Sequence, residues 1–149
     1  MKKITVYKTI LVILVITAIV LSILVIRKSM ESKKIENATQ EVLQEIKKEN
    51  KTTENKIDVI QEIDAKIGDY KVIGIINIPK INIEYPILEK TNKESLKLSI
   101  TKFYGEKINQ KGNVVLAGHN NLNKTMFGKI NELENGDIIE LTDSQMVTV

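Results

Sequence analysis

The chain has a single histidine, His119, directly after a short apolar segment. Residues 113–117 have the composition of a buried strand, and His119 stands where that strand gives way to a polar loop. An imidazole in such a place can donate or accept a proton during a reaction. A lone histidine is more often a hydrogen-bonded structural residue, so this position alone leaves both interpretations open.

The rest of the composition excludes several kinds of chemistry. The 149 residues contain no cysteine, which excludes disulfides, thiolate metal sites and a thiol nucleophile within them. One histidine leaves no basis for a metal cluster, and the sequence has no P-loop, zinc pattern or Gly-x-Ser-x-Gly elbow. We therefore predict no metal and no cofactor. The hydroxyl groups that could replace a thiol nucleophile have no recognisable adjacent base; they belong to Ser95, Ser99, Thr142, Ser144 and Thr148.

Other short motifs stand in a fixed order around the histidine. They are Ile78-Pro79-Lys80-Ile81, Tyr85-Pro86-Ile87, the segment 112–120 (GNVVLAGHN), Met126-Phe127 and Asn135-Gly136-Asp137. In this order they resemble the first half of a sortase, the Gram-positive cysteine transpeptidase family. The resemblance covers about residues 72–141 and is strongest to class D, with class B second.

The resemblance implies a function and a role for His119. Sortases cleave a Leu-Pro-x-Thr-Gly sorting signal through a thioester on cysteine and pass the acyl group to a cell-wall amine. His119 matches the catalytic histidine of the family, and a sorting-signal peptide and an amine acceptor are the implied partners. The family's cysteine, which follows a Thr-Leu-x-Thr strand, and its later arginine have no match and would lie beyond Val149. We therefore expect a truncated chain that is inactive by itself.

The amino-terminal residues predict a membrane anchor. After a short basic tail at 1–8, the segment 9–27 includes 17 uncharged residues from position 10 to 26, enough for a helix of about 26 Å. A cleaved signal peptide is the alternative, but the following Arg27-Lys28 sequence has no small-x-small cleavage site. The positive charges on the two sides of this segment are similar in number, so they do not predict the orientation of the helix in the membrane. The extracellular position of the carboxy-terminal domain, in a single-pass membrane protein, is implied by the resemblance.

Residues 28–69 are rich in Glu, Lys and Gln and predict a helical stalk or linker. A thin apolar stripe runs along it and continues past an interruption near Asn50; its members are Ile35, Ala38, Val42, Leu43, Ile46, Ile57, Ile60, Ile63 and Ile67. A short dimerising coiled coil is the alternative interpretation, so the oligomeric state stays open. The net charge of +3 arises mainly near the membrane, which argues against nucleic-acid binding.

Residues 70–149 predict part of a mainly β domain. The β-branched segments 72–78 and 81–87 are strands, and Pro79 and Pro86 confine the second to an edge or a bent strand. By its composition, the strand at 113–117 is buried on both sides. A further strand begins at 138–141 and another at 146–149. The sortase barrel has eight strands and these residues supply about four, so we expect no closure.

Two helices are predicted in the same domain. The sequence Thr91-Asn92-Lys93-Glu94 has the capping-box pattern and opens a short helix ending at Leu96, Leu98 or Ile100. A second helix carries four apolar side chains on one face and ends at Gly136; its apolar residues are Met126, Phe127, Ile130 and Leu133. Met126 and Phe127 are assigned to the core.

Two further hypotheses compete with a sortase. One is a non-catalytic, membrane-anchored binding or regulatory module that kept part of the barrel and binds a partner through exposed strand edges. The missing cysteine favours it. The other is a stalked membrane protein whose small β domain has an unrelated function.

Overall fold

A computed structural model describes the backbone of residues 2–53, 63–145 and 147–149, with side chains for 7–48, 63–145 and 147–149. The chain divides into two compact units, one ending at Ile35 and one spanning Glu36–Val149. The predicted continuation of the apolar stripe through Ile57 and Ile60, and the start of the last strand at Met146, lie outside the described residues.

One long helix, α1, spans Lys2–Thr53. In the first unit its apolar side chains at positions 10–16 are about half exposed or more, from 49% at Ile10 to 62% at Leu11. By length and composition this helix could cross a membrane, since its most apolar window has a mean hydropathy of 3.3 and no buried residue. The interruption expected near Asn50 is absent, because the helix runs on to Thr53.

The second unit contains a mixed β-sheet. Its elements are β1 (Lys66–Ile67), β2 (Tyr70–Ile78), β3 (Ile83–Leu88), α2 (Ser95–Leu98), β4 (Ile100–Gly105), β5 (Val114–Ala117) and β6 (Glu140–Asp143). The order is β1-β2-β3-β4-β5, with β6 paired to β2. All pairings are antiparallel except β3 with β4, which are parallel and joined through α2. The described strands do not close into a barrel, as the sequence predicted.

Two apolar clusters cover the two faces of this sheet. One face carries alternate residues of β3, including Tyr85 and Ile87, together with Ile100, Ile108 and Met126. The other face carries Val72, Ile75 and Leu88 and is covered by Leu43 and Ile46 of α1. The mainly β fold therefore has a helix packed on one face.

Polar contacts fix this part of α1 on the sheet. The hydroxyl of Thr39, fully buried, donates to the carbonyl of Leu98 at 2.9 Å, and Gln40 donates to the carbonyl of Glu84 at 3.2 Å. Residues predicted as stalk thus belong to the same compact unit as the sheet, which begins at Glu36. The predicted domain limits at 8/9, 27/28 and 69/70 stay predictions.

Some sequence predictions of strands are wrong. Strand β3, predicted at an edge or bent, is an edge strand only in part: β2 pairs along all of it, β4 pairs at Ile87 and Leu88, and among the described strands residues 83–86 pair with β2 alone. Pro86 is tolerated because the parallel pairing begins only at the next residue. The strand at 113–117 is not buried on both sides, since Val115 is 40% exposed. Within the described residues β5 pairs only with β4, so its other edge is open.

The helix predictions also need correction. Residues 126–133 do not form a continuous helix, because Met126 has a left-handed backbone (φ 50°) and only residues 130–132 form a 3-10 turn. Glu94 precedes α2 and makes no side-chain capping bond, and the N–H of Ser95 donates to Oδ1 of Asn92 at 2.8 Å rather than to the predicted Thr91. Ile67 lies in β1, so the stripe does not continue as a helix there. Met126 and Phe127 do pack in the core, as predicted.

Candidate active site

His119 lies just beyond the end of β5 with its side chain exposed. The last residue of β5, Ala117, pairs with Thr101 of β4. The histidine therefore stands at the rim of the sheet, beside the strand whose outer edge is open among the described residues. This is a position from which an imidazole can reach a substrate in solvent.

The backbone of His119 is held by the loop that follows it. The carbonyl of His119 accepts a hydrogen bond from the N–H of Phe127 at 3.0 Å, and Asn120 forms an antiparallel bridge with Met126. The loop at 121–125 is therefore closed, because the residues at its two ends pair with each other. An exposed histidine on such a closed loop has a fixed main chain although its side chain faces water.

A close contact fixes the residue before the histidine. A Cβ atom on Gly118 would lie 3.0 Å from the Phe127 ring and 3.1 Å from a side-chain carbon of Ile100. Real Cβ atoms rarely tolerate such distances, so any side chain here would displace the ring. The glycine of the Ala-Gly-His sequence is explained by this approach of β5 to Phe127.

The loop stores backbone strain and is braced internally. Lys124 (φ 66°) and Met126 (φ 50°) both adopt the left-handed conformation, which costs a non-glycine residue about 1–3 kcal/mol. The Thr125 hydroxyl accepts from Asn121 Nδ2 at 2.9 Å and donates to Asn123 Oδ1 at 2.8 Å. These contacts hold the conformation that returns Phe127 to His119.

Tyr85 connects the loop to α1. Its hydroxyl donates to Glu36 Oε1 at 2.5 Å, and its side chain belongs to the same core cluster as Met126. Burial raises the pKa of the Tyr85 hydroxyl well above its usual range, and the hydrogen bond to Glu36 adds to this effect. Sequence reasoning missed Glu36 and assigned no role to Tyr85. The only signal was the tyrosine within the Tyr-Pro-Ile motif.

The structure brings some sequence motifs together and separates others. The motifs around His119, Phe127 and Tyr85 meet at one place. Lys80 and Asp137, of the motifs at 78–81 and 135–137, form a separate, partly exposed ion pair at 3.2 Å. The backbone N–H of Glu134 lowers the pKa of Asp137, and Lys80 adds to this.

Four of the five hydroxyl groups considered as nucleophiles are engaged elsewhere. Ser99 donates to the carbonyl of Pro86 at 2.6 Å, and Ser95 accepts from the N–H of Asn92 at 2.9 Å. Thr142 and Thr148 bond each other at 2.8 Å. Ser144 follows β6 in a turn. Among the residues with described positions, no group of three or more His, Asp or Glu side chains could hold a metal ion. The described site thus presents an exposed imidazole without a partner nucleophile.

Comparison with known proteins identifies the domain. The profile of the Sortase domain family matches residues 76–149. Sortase A of Bacillus anthracis is 33% identical over 89 residues, 59% of this chain and 42% of the relative. Sortase D of Bacillus subtilis (strain 168) is 38% identical over 69 residues, 46% of this chain and 33% of the relative. The chain thus spans about a third to two fifths of the length of these curated relatives.

The chain is also similar to parts of solved sortase structures. A Clostridium perfringens sortase D5 transpeptidase is 25% identical with a TM-score of 0.49, covering 76% of this chain and 67% of that one. Sortase A from Corynebacterium diphtheriae, as a lid mutant, is 27% identical with a TM-score of 0.48, covering 54% and 45%. The relatives include sortases A and D, and the choice of class D over class B stays a prediction. From the matching profile and the curated relatives, the chain belongs to the sortase family.

Proposed function

We propose that this chain provides the acid–base half of a sortase transpeptidase, with His119 as the proton donor and acceptor. The substrate is a Leu-Pro-x-Thr-Gly sorting signal of a surface protein, and the acceptor is an amine of the cell wall. The single observation that carries the proposal is the position of His119, which is exposed at the end of an edge strand and anchored through its own backbone by Phe127.

The proposed reaction has two steps. A cysteine thiolate attacks the scissile carbonyl, and the protonated imidazole of His119 gives its proton to the departing amine as the thioester forms. The acceptor amine then attacks the thioester, His119 takes the proton that this amine loses, and the thiolate leaves. The imidazole ends the cycle protonated, as it began, so it needs no other proton source.

The nucleophile has to come from a polypeptide segment outside these 149 residues, because they contain no cysteine. The 149 residues alone are therefore inactive in this proposal. A general base or acid acts within hydrogen-bond reach, about 2.6–3.2 Å between heavy atoms. The strand that carries the thiol must consequently lie next to His119, and the open edge of β5 is the described edge that reaches that place.

The proposed location is the cell membrane, with one span and the sheet domain outside the cell. The apolar part of α1, which could cross a membrane, supports the anchoring. A sorting signal and a cell-wall amine are both found outside the membrane, which supports the orientation. The proposed reaction uses no cofactor, no metal and no nucleic-acid partner.

A fusion tests the proposal. The cysteine- and arginine-bearing second half of the Bacillus subtilis sortase D is joined after Val149, and the protein is incubated in detergent micelles with a Leu-Pro-x-Thr-Gly peptide and a free amine. We expect a thioester on the cysteine by intact mass, and an amide product. His119→Ala should slow turnover about 10²–10⁴-fold, whereas Lys107→Ala, an exposed control, should not. A fusion without acylation, or an equally active His119→Ala variant, would contradict the proposal.

The second candidate is a non-catalytic module that binds an extended peptide at a sheet edge. The observation that favours it is the open edge of β5 together with the absence of cysteine. In that case the 149-residue chain alone binds a sorting-signal peptide, measured by fluorescence anisotropy, and His119→Ala binds it equally well. No binding by the unfused chain rejects this candidate.

A further inference from the structure

Two aromatic side chains of β4 face solvent next to each other. Phe103 is 66% exposed and Tyr104 is 68% exposed. The register of β4 against β5 shifts between Lys102 and Tyr104, so Phe103 is an extra residue without a partner on β5. Such a bulge bends a strand and changes the direction of its side chains. Adjacent large apolar side chains on a surface mark a site of contact with a partner.

The two aromatic residues line an open groove together with the segment that follows β3. Lys90, Thr91 and Asn92 form the other side of this groove. They come after Leu88, which pairs with Thr101 on the edge of β4 that faces away from β5. The groove therefore lies across β4 from the open edge of β5. A cysteine-bearing segment paired at that edge does not account for it.

The part of the sequence around the groove is basic. Residues 89–111 contain six lysines and three glutamates and have a net charge of +3. This count includes Glu89 and Glu106, which line the groove. Residues 112–149, which include His119, contain two lysines and five acidic residues and have a net charge of −3. The exposed aromatic pair thus belongs to the positive part of a domain with divided charge.

Three lysines next to the groove are not engaged within the domain. Lys90, Lys93 and Lys97 are exposed, and no ion pair among the described residues includes any of them. In the acidic part, by contrast, Lys124 lies 3.6 Å from Glu132. The three ammonium groups can therefore meet an anionic partner without breaking an internal ion pair.

Aromatic rings beside lysines match the chemistry of an anionic lipid surface. Such rings are favoured at the boundary between headgroups and acyl chains, and lysines are attracted by the negative potential of the headgroups. The same chain carries a helix that could cross a membrane. With that helix inserted, a weak second contact with the lipid becomes intramolecular and gains a high effective concentration. Charge and composition together therefore favour a lipid surface as the partner.

We propose that the surface formed by Lys90, Lys93, Lys97, Phe103 and Tyr104, the basic aromatic patch, docks on anionic lipid headgroups. This docking rests on the proposed membrane location of the chain and adds a second point of attachment to it. The lysines contact the phosphate groups, and the two rings enter the boundary between headgroups and acyl chains.

Docking of the patch would also place the proposed active site. Val115 of β5 lies opposite Tyr104, and His119 stands four residues later along the chain. At a rise of about 3.3 Å per residue, His119 is up to about 13 Å from the patch. A docked patch therefore limits the distance between His119 and the lipid surface.

A tryptophan reporter tests the docking, because the chain has no tryptophan of its own. The full chain with Phe103→Trp is reconstituted into vesicles of phosphatidylcholine alone, or of equal parts of phosphatidylcholine and phosphatidylglycerol, with brominated acyl chains as quenchers. We expect a blue-shifted emission and stronger quenching in the anionic vesicles at low salt. The difference should be lost at about 1 M salt, where screening shortens the range of charge interactions to about 3 Å.

A matched reporter shows whether the effect belongs to the patch. Ile138 lies in the acidic part and has the same exposure as Phe103, 66%. Ile138→Trp should give the same emission and quenching in both kinds of vesicle. Tyr104→Trp is the second reporter of the patch if Phe103→Trp fails to fold.

Removal of charge tests the lysines. Lys90→Gln, Lys93→Gln and Lys97→Gln together, in the chain with the patch reporter, should weaken docking by roughly a hundredfold, at about fivefold for each lysine. The extra quenching in anionic vesicles should then disappear. Lys124→Gln removes one positive charge from the acidic part and should leave the extra quenching unchanged.

Three results would overturn the proposal. The first is equal quenching of Phe103→Trp in the two kinds of vesicle, and the second is an equal gain for Ile138→Trp in anionic vesicles. The third is a blue shift of Phe103→Trp that grows with the ratio of protein to lipid in phosphatidylcholine, because it would show that a second copy of the chain covers the groove.

Flotation of the vesicles distinguishes failure of docking from failure of the membrane anchor. A chain that floats with both kinds of vesicle but shows no extra quenching keeps the anchor and rejects docking. A chain that floats only with anionic vesicles, is released by salt and shows the extra quenching rejects the anchor and keeps docking. Flotation with neither kind of vesicle rejects both.

Discussion

Strands β3 and β5 have similar apolar compositions but opposite surroundings. In β3 five of the six residues are buried, from Ile83 to Leu88, and both neighbouring strands pair with it. In β5 no residue is fully buried, and among the described strands only β4 pairs with it. The sequence predicted that the strand at 113–117 is buried on both sides, and this prediction is wrong.

The difference teaches how far composition determines burial. A proline removes one backbone donor, and Pro86 loses nothing because the parallel pairing of β3 begins at Ile87. The apolar residues of β5 instead indicate a surface suited to a neighbour. We therefore interpret β3 as the core strand of the domain. We interpret β5 as the strand for assembly, meaning the strand whose open edge pairs with the cysteine-bearing segment.

The largest effect is expected in β3. Ile87 is 0% exposed and lies in the main core cluster. Ile87→Ala should lower the free energy of unfolding by about 2–5 kcal/mol, because it removes buried methyl groups and leaves a cavity. Urea unfolding of the chain in detergent micelles, followed by near-ultraviolet circular dichroism, measures this. A loss comparable to that of a surface substitution would mean that β3 is not the core strand.

A pH-dependent effect is expected at Tyr85, also in β3. Its pKa is raised in the folded chain from an ordinary value of 10.0, because burial disfavours the phenolate. The stabilisation is complete below pH 10.0 and is lost as the pH rises above it, since the unfolded chain then releases a proton that the folded chain keeps. The free energy of unfolding should therefore fall by up to about 1.4 kcal/mol per pH unit in this range.

Comparison of two phenylalanine variants isolates this contribution. Tyr85→Phe should remove this part of the alkaline destabilisation. Tyr104→Phe should not, because Tyr104, opposite Val115 of β5, is 68% exposed. Identical slopes for the wild type and Tyr85→Phe would show that the buried hydroxyl does not titrate as described.

The smallest effect is expected in β5. Val115 is 40% exposed, so Val115→Ala should cost about 1 kcal/mol or less in the 149-residue chain. In the fusion described above, the same substitution should cost more, because the added segment covers the strand. The two unfolding curves give this difference directly, and equal costs in both proteins would argue against β5 as the strand for assembly.

The sequence predicted much of this architecture from local patterns. The apolar amino-terminal helix, the strand at 72–78 and the position of His119 after a strand follow from hydrophobic runs and their breaks. The core assignment of Met126 and Phe127 was also correct. The helix, the strand and the position of His119 depend on neighbours in sequence, whereas the core assignment was correct although the helix on which it rested is absent.

Long-range contacts could not be predicted in this way. The approach of Phe127 to Gly118 depends on left-handed backbones at Lys124 and Met126. Neither lysine nor methionine predicts that conformation. The bond from Tyr85 to Glu36 joins residues 49 positions apart. The charged sequence of the helix, considered alone, predicts a stalk. The packing of this helix on the sheet shows only in long-range contacts such as the bond from Thr39 to the carbonyl of Leu98.

The central claim is that a thiol-bearing strand occupies the open edge of β5 beside His119. The most direct test is an NMR measurement on the fusion protein, of nuclear Overhauser contacts between the cysteine β protons and the His119 imidazole, with amide exchange along β5. We predict such contacts, together with slower exchange at Val114–Ala117 than in the 149-residue chain. An absence of contacts, with unchanged exchange along β5, would contradict the claim.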